Sequence, residues 1–175
     1  DTSASNTTKT KTGSEKKRKK KRLDKGIVPH GTRLNVIDKY KPIYRELRNN
    51  DTAKSPIANL VLLWVFFEAS VGRYIKVKSC KVAGRNLHSR TEEALLFMVN
   101  KNEISEENAN IVRGHLDDAK CLPSSVGKLA QISESISREI LKETWNDLFP
   151  FFKVIWSQGN RNPVSYTHLT LPTIR

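Results

Sequence analysis

The sequence predicts a single all-α domain, a bundle of five to six helices over residues 26–162, preceded by a disordered basic tail at 1–25. Three observations predict it. Apolar residues recur at three- and four-residue steps from Leu34 to Trp156, the spacing that lines one side of an α-helix. No alternating run, hairpin dipeptide or internal repeat competes with that pattern. The first 25 residues hold ten Lys or Arg against Asp1, Glu15 and Asp24, with no large apolar side chain before Leu23. Nothing there offsets the entropy of ordering the chain.

Leu34, Ile37, Tyr40 or Lys41, Tyr44 and Leu47 begin the helical periodicity. Pro42 lacks an amide donor, so the spacing predicts two short helices or one kinked helix that ends at Asn49-Asn50-Asp51. Ser55-Pro56 is a start signal, with Ser able to cap orphan amides and Pro suited to the first helical position. A long central helix is expected from there to about Lys78. Ile57, Leu60, Val61, Trp64, Phe67 or Glu68, Val71 and Ile75 line one side, and Leu62, Leu63, Val65 and Phe66 make it apolar nearly all round. Ser89 and Glu92 have capping-box spacing before Ala94, Leu95, Phe97, Met98 and Val99. Ser105 followed by Glu106 and Glu107 marks another N-terminus, for a helix carrying Ile111, Val112, His115 and Leu116 that ends near Cys121. After Pro123-Ser124-Ser125, a stripe of Val126, Leu129, Ile132, Ile136, Ile140 and Leu141 predicts a long amphipathic helix. Trp145, Leu148, Phe149, Phe151, Phe152, Ile155 and Trp156 continue it after a bend at Pro150, and Gly159 is the expected terminator.

The formal net charge is +13 over 175 residues, and the first 25 carry +7 of it. Seven consecutive basic residues, Lys16, Lys17, Arg18, Lys19, Lys20, Lys21 and Arg22, are the densest charge feature. Such a run suits phosphate contacts with RNA or DNA, a nuclear-import signal or an anionic membrane surface, and a solvated tail is the plainest alternative. No aromatic interleaves it, so base stacking is not implied. The longest apolar run, Leu60–Phe67, spans eight residues, against the roughly 20 that cross a bilayer; no membrane insertion is expected. Cys80 and Cys121 lie 41 residues apart and suggest buried free thiols, not a disulfide framework.

Residues 164–173 read as the conceptual translation of a transposon-end sequencing adapter, so residues 163–175 are expected to be non-native and His168 is set aside. On that reading the natural chain is expected to be truncated near Pro163.

No glycine-rich phosphate loop, zinc-protease helix, nucleophile elbow or calcium loop is present in the sequence, and no cofactor is expected. His30 sits in a Pro-His-Gly turn, His88 precedes an expected cap, and His115 lies on a helix with Asp117 and Asp118; each suits a structural role. His115 and Cys121 lack a second pair for four-coordinate zinc. Asp117-Asp118 with Glu106-Glu107 would be an acidic group able to attract a metal, and an exposed acidic face is the simpler reading.

Ser157-Gln158-Gly159-Asn160-Arg161-Asn162 resembles the Arg-Asn that opens the Arg-Asn-x-x-x-His signature of HEPN-type domains, small all-α modules of RNases and toxins. Leu62-Leu63-Trp64-Val65-Phe66-Phe67-Glu68 is similar to their apolar, acid-ending early helix. The resemblance covers residues 55–162 by pattern and Glu68, Arg161 and Asn162 by motif. It implies metal-independent RNA cleavage, with Arg161 steadying the phosphate and a His moving the proton, and a homodimer. The family's His would fall at Tyr166, within the adapter-like segment, so this chain departs from the signature there. Arg85-Asn86-Leu87-His88 has the same residue types at too short a spacing.

The leading expectation is a basic-tailed helical domain that binds nucleic acid through phosphate contacts from Lys16 to Arg22, with RNA ahead of DNA. The alternatives are a fragment of a HEPN-like RNase and a protein-interaction module whose tail is an import signal. The protein is expected to be intracellular, nuclear if its cell is eukaryotic and otherwise cytoplasmic.

Overall fold

The structure, a computed structural model, describes residues 25–117 and 136–157. Among them it places five α-helices and no strand: α1 (Lys41–Asn49, entered through a 3-10 turn at Asp38–Tyr40), α2 (Pro56–Lys78), α3 (Leu87–Asn100), α4 (Glu106–Asp117) and α5 (Arg138–Ser157). The chain is therefore all-α, as the periodicity predicts. The expected helix beginning after Pro123 and the terminator Gly159 lie outside the described residues.

A helix apolar on nearly every side must be covered from several directions. α2 packs against α1, α3 and α5. Its buried residues are Asn59, Leu60, Leu63, Phe66, Phe67, Ser70, Val71 and Tyr74. That stripe is rotated from the expected one. Leu63, Phe66 and Tyr74 point inward, Trp64 and Ile75 lie at its edge, and Ile57 is 50% exposed. Periodicity cannot orient a helix whose every side is apolar; the neighbours decide.

The principal partner is α5, which buries Leu141, Thr144, Trp145, Leu148, Phe151, Phe152, Ile155 and Trp156. Phe66 is the hub: Trp156 stacks on it at 5.6 Å between ring centroids, Tyr44 at 5.7 Å and Trp145 at 6.1 Å, while Phe152 lies tilted against it at 5.1 Å. Offset and tilted ring pairs of this kind add to the area they bury. Pro150 lies inside α5 and the helix runs on through it, because the proline costs one amide donor while the aromatic face stays packed.

Four local expectations need correction. Pro42 occupies the first turn of α1 instead of interrupting a helix, a position where its missing N–H would have no partner anyway. Ser55 makes no side-chain cap; its carbonyl accepts from the Asn59 backbone and from Asn59 Nδ2 (3.2 and 3.0 Å). α3 starts earlier than the Ser89–Glu92 spacing implies, because Asn86 Oδ1 accepts from the Ser89 amide at 2.8 Å, while Glu92 is drawn to Arg113. Of the stripe expected to run helically from Val126 to Leu141, the described residues Ile136 and Ser137 are non-helical, and Ser137 Oγ accepts from the Ile140 amide at 3.3 Å at the start of α5. The expectation at Ser105 stands, with its Oγ accepting from the Asn108 amide at 3.2 Å.

The boundary of the basic tail also shifts. The Lys25 carbonyl accepts from the Thr52 amide, and the Ile27 amide donates to the Leu47 carbonyl, both at 3.0 Å. Ile27 and Val28 are buried. Gly26 is required there, since a Cβ would lie 2.3 Å from the Leu47 carbonyl oxygen and 2.4 Å from the Arg48 carbonyl carbon. Residues 1–24 lie outside the described residues, and the chain enters the domain pinned beside the α1–α2 connection.

Candidate nucleic-acid interface

Residues 69–91 contain Arg73, Lys76, Lys78, Lys81, Arg85 and Arg90 and no acidic residue. They form the second half of α2, the connection to α3 and its first turn. Two residues in that connection fix the backbone. Ser79 takes a left-handed conformation (φ 52°) at the end of α2, and the Cys80 amide donates back to the Ile75 carbonyl at 3.0 Å, closing the helix in the manner usual for glycine. The Glu93 carboxylate then reaches back to accept from the Ala83 and Gly84 amides at 3.0–3.2 Å.

Successive residues of a helix are turned by about 100°, so positions 72, 76 and 73 follow one another around a single arc of α2. Arg73 lies on the α5 side of that arc, its guanidinium 5.1 Å above the centre of the Trp156 ring. The indole is fixed: it is fully buried, stacked on Phe66, and its Nε1–H donates to Ser70 Oγ at 3.0 Å. Ser70 passes the bond on to the Phe66 carbonyl at 2.7 Å. On the α3 side, Arg90 lies against the backbone of Gly72, where a Cβ would meet its guanidinium nitrogen at 3.3 Å. Lys76 is exposed between them.

Among the described residues, no carboxylate lies within 4.0 Å of Arg73, Lys76 or Arg90. Glu68, one turn below Gly72 on the same ridge and half-buried, makes no ion pair with them among the described residues. Arg73 Nε is buried and has no hydrogen-bond partner among the described residues. A buried donor left without an acceptor costs about 1–3 kcal/mol. Cations grouped without counter-charges build a positive potential over the ridge.

The charged groups elsewhere pair with one another. Glu103 accepts from Tyr74 Oη at 2.7 Å and from Lys78 Nζ. Burial raises the Glu103 carboxyl, but those two bonds and the charges of Lys78 and Lys101 outweigh it and hold the group below its ordinary value. Burial, then Glu103, push the Tyr74 hydroxyl well above the ordinary phenol range. Burial likewise pushes the Cys80 thiol up, so it stays a protonated, free thiol. Arg113 bridges Glu92 (3.1 Å) and Glu106 (2.8 Å), which takes Glu106 out of the acidic group considered above. His115 Nε2 meets Asp147 Oδ2 at 2.9 Å, tying α4 to α5.

The sequence-derived candidates fare unevenly. Lys16, Lys17, Arg18, Lys19, Lys20, Lys21, Arg22, Arg161, Asn162, Asp118 and Cys121 lie outside the described residues. In Arg85-Asn86-Leu87-His88, Asn86 serves as the α3 cap and Leu87 is core. Among the described residues, no group of three or more His, Cys, Asp or Glu is placed to hold a metal, and no helix is long and apolar enough to cross a membrane. Arg73, Lys76 and Arg90 escape a reading that follows hydrophobic periodicity, although a count of charge along 69–91 marks the region. Compared with known proteins, the chain matches no family model, no curated protein and no solved structure.

Proposed function

We propose that the chain binds nucleic acid, through phosphate contacts made first by the basic run Lys16–Arg22. The observation that carries this reading is the run itself, seven cations in succession. A contact of this kind reads charge and not sequence, because phosphates position a protein without reporting the bases. RNA stands ahead of DNA in the reading through the HEPN-type resemblance alone, and the predicted intracellular or nuclear location belongs to the same reading. The acid-free stretch from Arg73 to Arg90 supports it, adding a second concentration of positive charge on the folded domain.

Binding measured against salt tests the proposal. For a duplex, the logarithm of the affinity falls with the logarithm of salt with a slope of about −0.9 per phosphate neutralised, and for a single strand about −0.7. The full chain is expected to show a slope of several units on both RNA and DNA. Replacing the seven arm cations with Gln should flatten that slope by several units. An unchanged slope rejects the arm as the contact, and no binding by the full chain at low salt rejects the reading.

A further inference from the structure

Resting on the nucleic-acid reading above, we propose that Arg73, Lys76 and Arg90 form a phosphate-binding cluster on the folded domain. The chain then grips one duplex at two separate points, the arm and this cluster. The arm is rooted where Lys25 and Ile27 bond to Thr52 and Leu47, beside the start of α2. Lys76 lies twenty residues of helix beyond Pro56, about 30 Å at 1.5 Å per residue.

Two features suit the cluster to a phosphate. Arg73 cannot swing freely, because the Trp156 ring beneath it is locked by Ser70 and Phe66, and a pre-placed guanidinium fork suits the paired oxygens of a phosphate. Arg90 and Lys76 complete an arc with no carboxylate in pairing range among the described residues. A phosphate would relieve the crowding of like charge.

The same geometry selects a duplex over a single strand. Single-strand binders stack bases on accessible aromatic rings. Here Trp156 is fully buried beneath Arg73; Tyr74, the one Phe, Trp or Tyr between residues 69 and 91, is 2% exposed; and Tyr40, edge-on to Trp156 at 5.9 Å, is half-buried. What remains is charge, and a duplex offers the denser phosphate array, one charge per about 1.7 Å of axis.

Fluorescence anisotropy with a labelled duplex of about 24 base pairs, as RNA and as DNA, tests this between about 50 and 200 mM salt. The proteins are the full chain, Lys76→Gln/Arg90→Gln, Lys76→Arg/Arg90→Lys and the arm-neutralised chain. Loss of two contacts should reduce the slope by about 1.8 and weaken binding on the order of tenfold or more at 0.1 M salt. The charge-conserving pair should keep the slope. Because each neutralised phosphate adds its own increment to the slope, the reduction should recur when the double change is made in the arm-neutralised chain. Lys76 is exposed, so Lys76→Gln alone, with a slope lower by about 0.9, serves if the double variant melts early. A full chain that binds while K76Q and K76Q/R90Q keep its slope overturns the cluster and leaves the arm reading intact. Tighter binding to an unpaired strand of equal length overturns the choice of duplex. A full chain that binds nothing overturns both.

Discussion

The two flanks of α2 are built differently. Toward α5 it presents Phe66, Phe67 and Ser70 to Trp145, Phe151, Phe152 and Trp156, all of them buried. Toward the α3–α4 turn it offers Tyr74 and Lys78 to Glu103, while Arg113 fastens α4 to α3 through Glu92. The first flank is a seam of rings whose strength is area and shape; the second is a set of latches whose strength is charge. An apolar seam is indifferent to salt and pH, whereas exposed and half-exposed ion pairs weaken with both. The ridge cations, with no carboxylate in pairing range among the described residues, lie between the flanks, held by the seam on one side and by α3 on the other.

The largest blow to this contrast is Phe66→Ala. It removes the ring on which Tyr44, Trp145, Phe152 and Trp156 converge, and should cost about 3–5 kcal/mol in denaturant unfolding. The loss should be the same at low and high salt. A cost under 1 kcal/mol would show that the seam is not the main support.

Glu103→Ala sharpens the other side. It removes an acceptor of two hydrogen bonds, one of them from a charged donor, and should cost about 1.5–3 kcal/mol at neutral pH. The Glu103 carboxyl sits below its ordinary value of 4.5 in the folded chain. Its contribution is therefore complete above that value and is lost as the pH falls through the lower folded one. Unfolding measured from neutral to acid should show the parent and the variant converging in that window. A constant gap would mean that Glu103 acts through packing and not through its charge.

The smallest effect separates two candidate caps. Asn86→Ala should cost about 1 kcal/mol, whereas Ser89→Ala, whose hydroxyl makes no cap bond, should fall within about 0.5 kcal/mol. The reverse order in thermal melts would restore the capping box.

That pair shows how much was legible in the sequence. The helical class, α2 with its start at Pro56, and the Ser105 cap follow from local signals that tertiary contacts leave alone. The start of α3 does not, because Asn86 and Ser89 are both good caps and the carboxylate that would favour Ser89 is taken by Arg113, 21 residues on. The break at Ile136–Ser137 is invisible to periodicity, since the apolar stripe stays in phase across it. Arg73 and Arg90 belong to different helices, and only the packing of α3 at Gly72 brings them to one ridge. A linear pattern records composition along the chain and says nothing of such a meeting.

The pinned entry at Gly26 sets a leash on the basic run. Arg22 is three peptide units from Lys25 and Lys16 is nine, so a fully stretched chain keeps them within about 11 and 32 Å of that anchorage. Any polyanion caught by the run is thus held beside the helices at an effective concentration in the millimolar range. A weak second handhold on the folded body is enough to turn that brief capture into a lasting one.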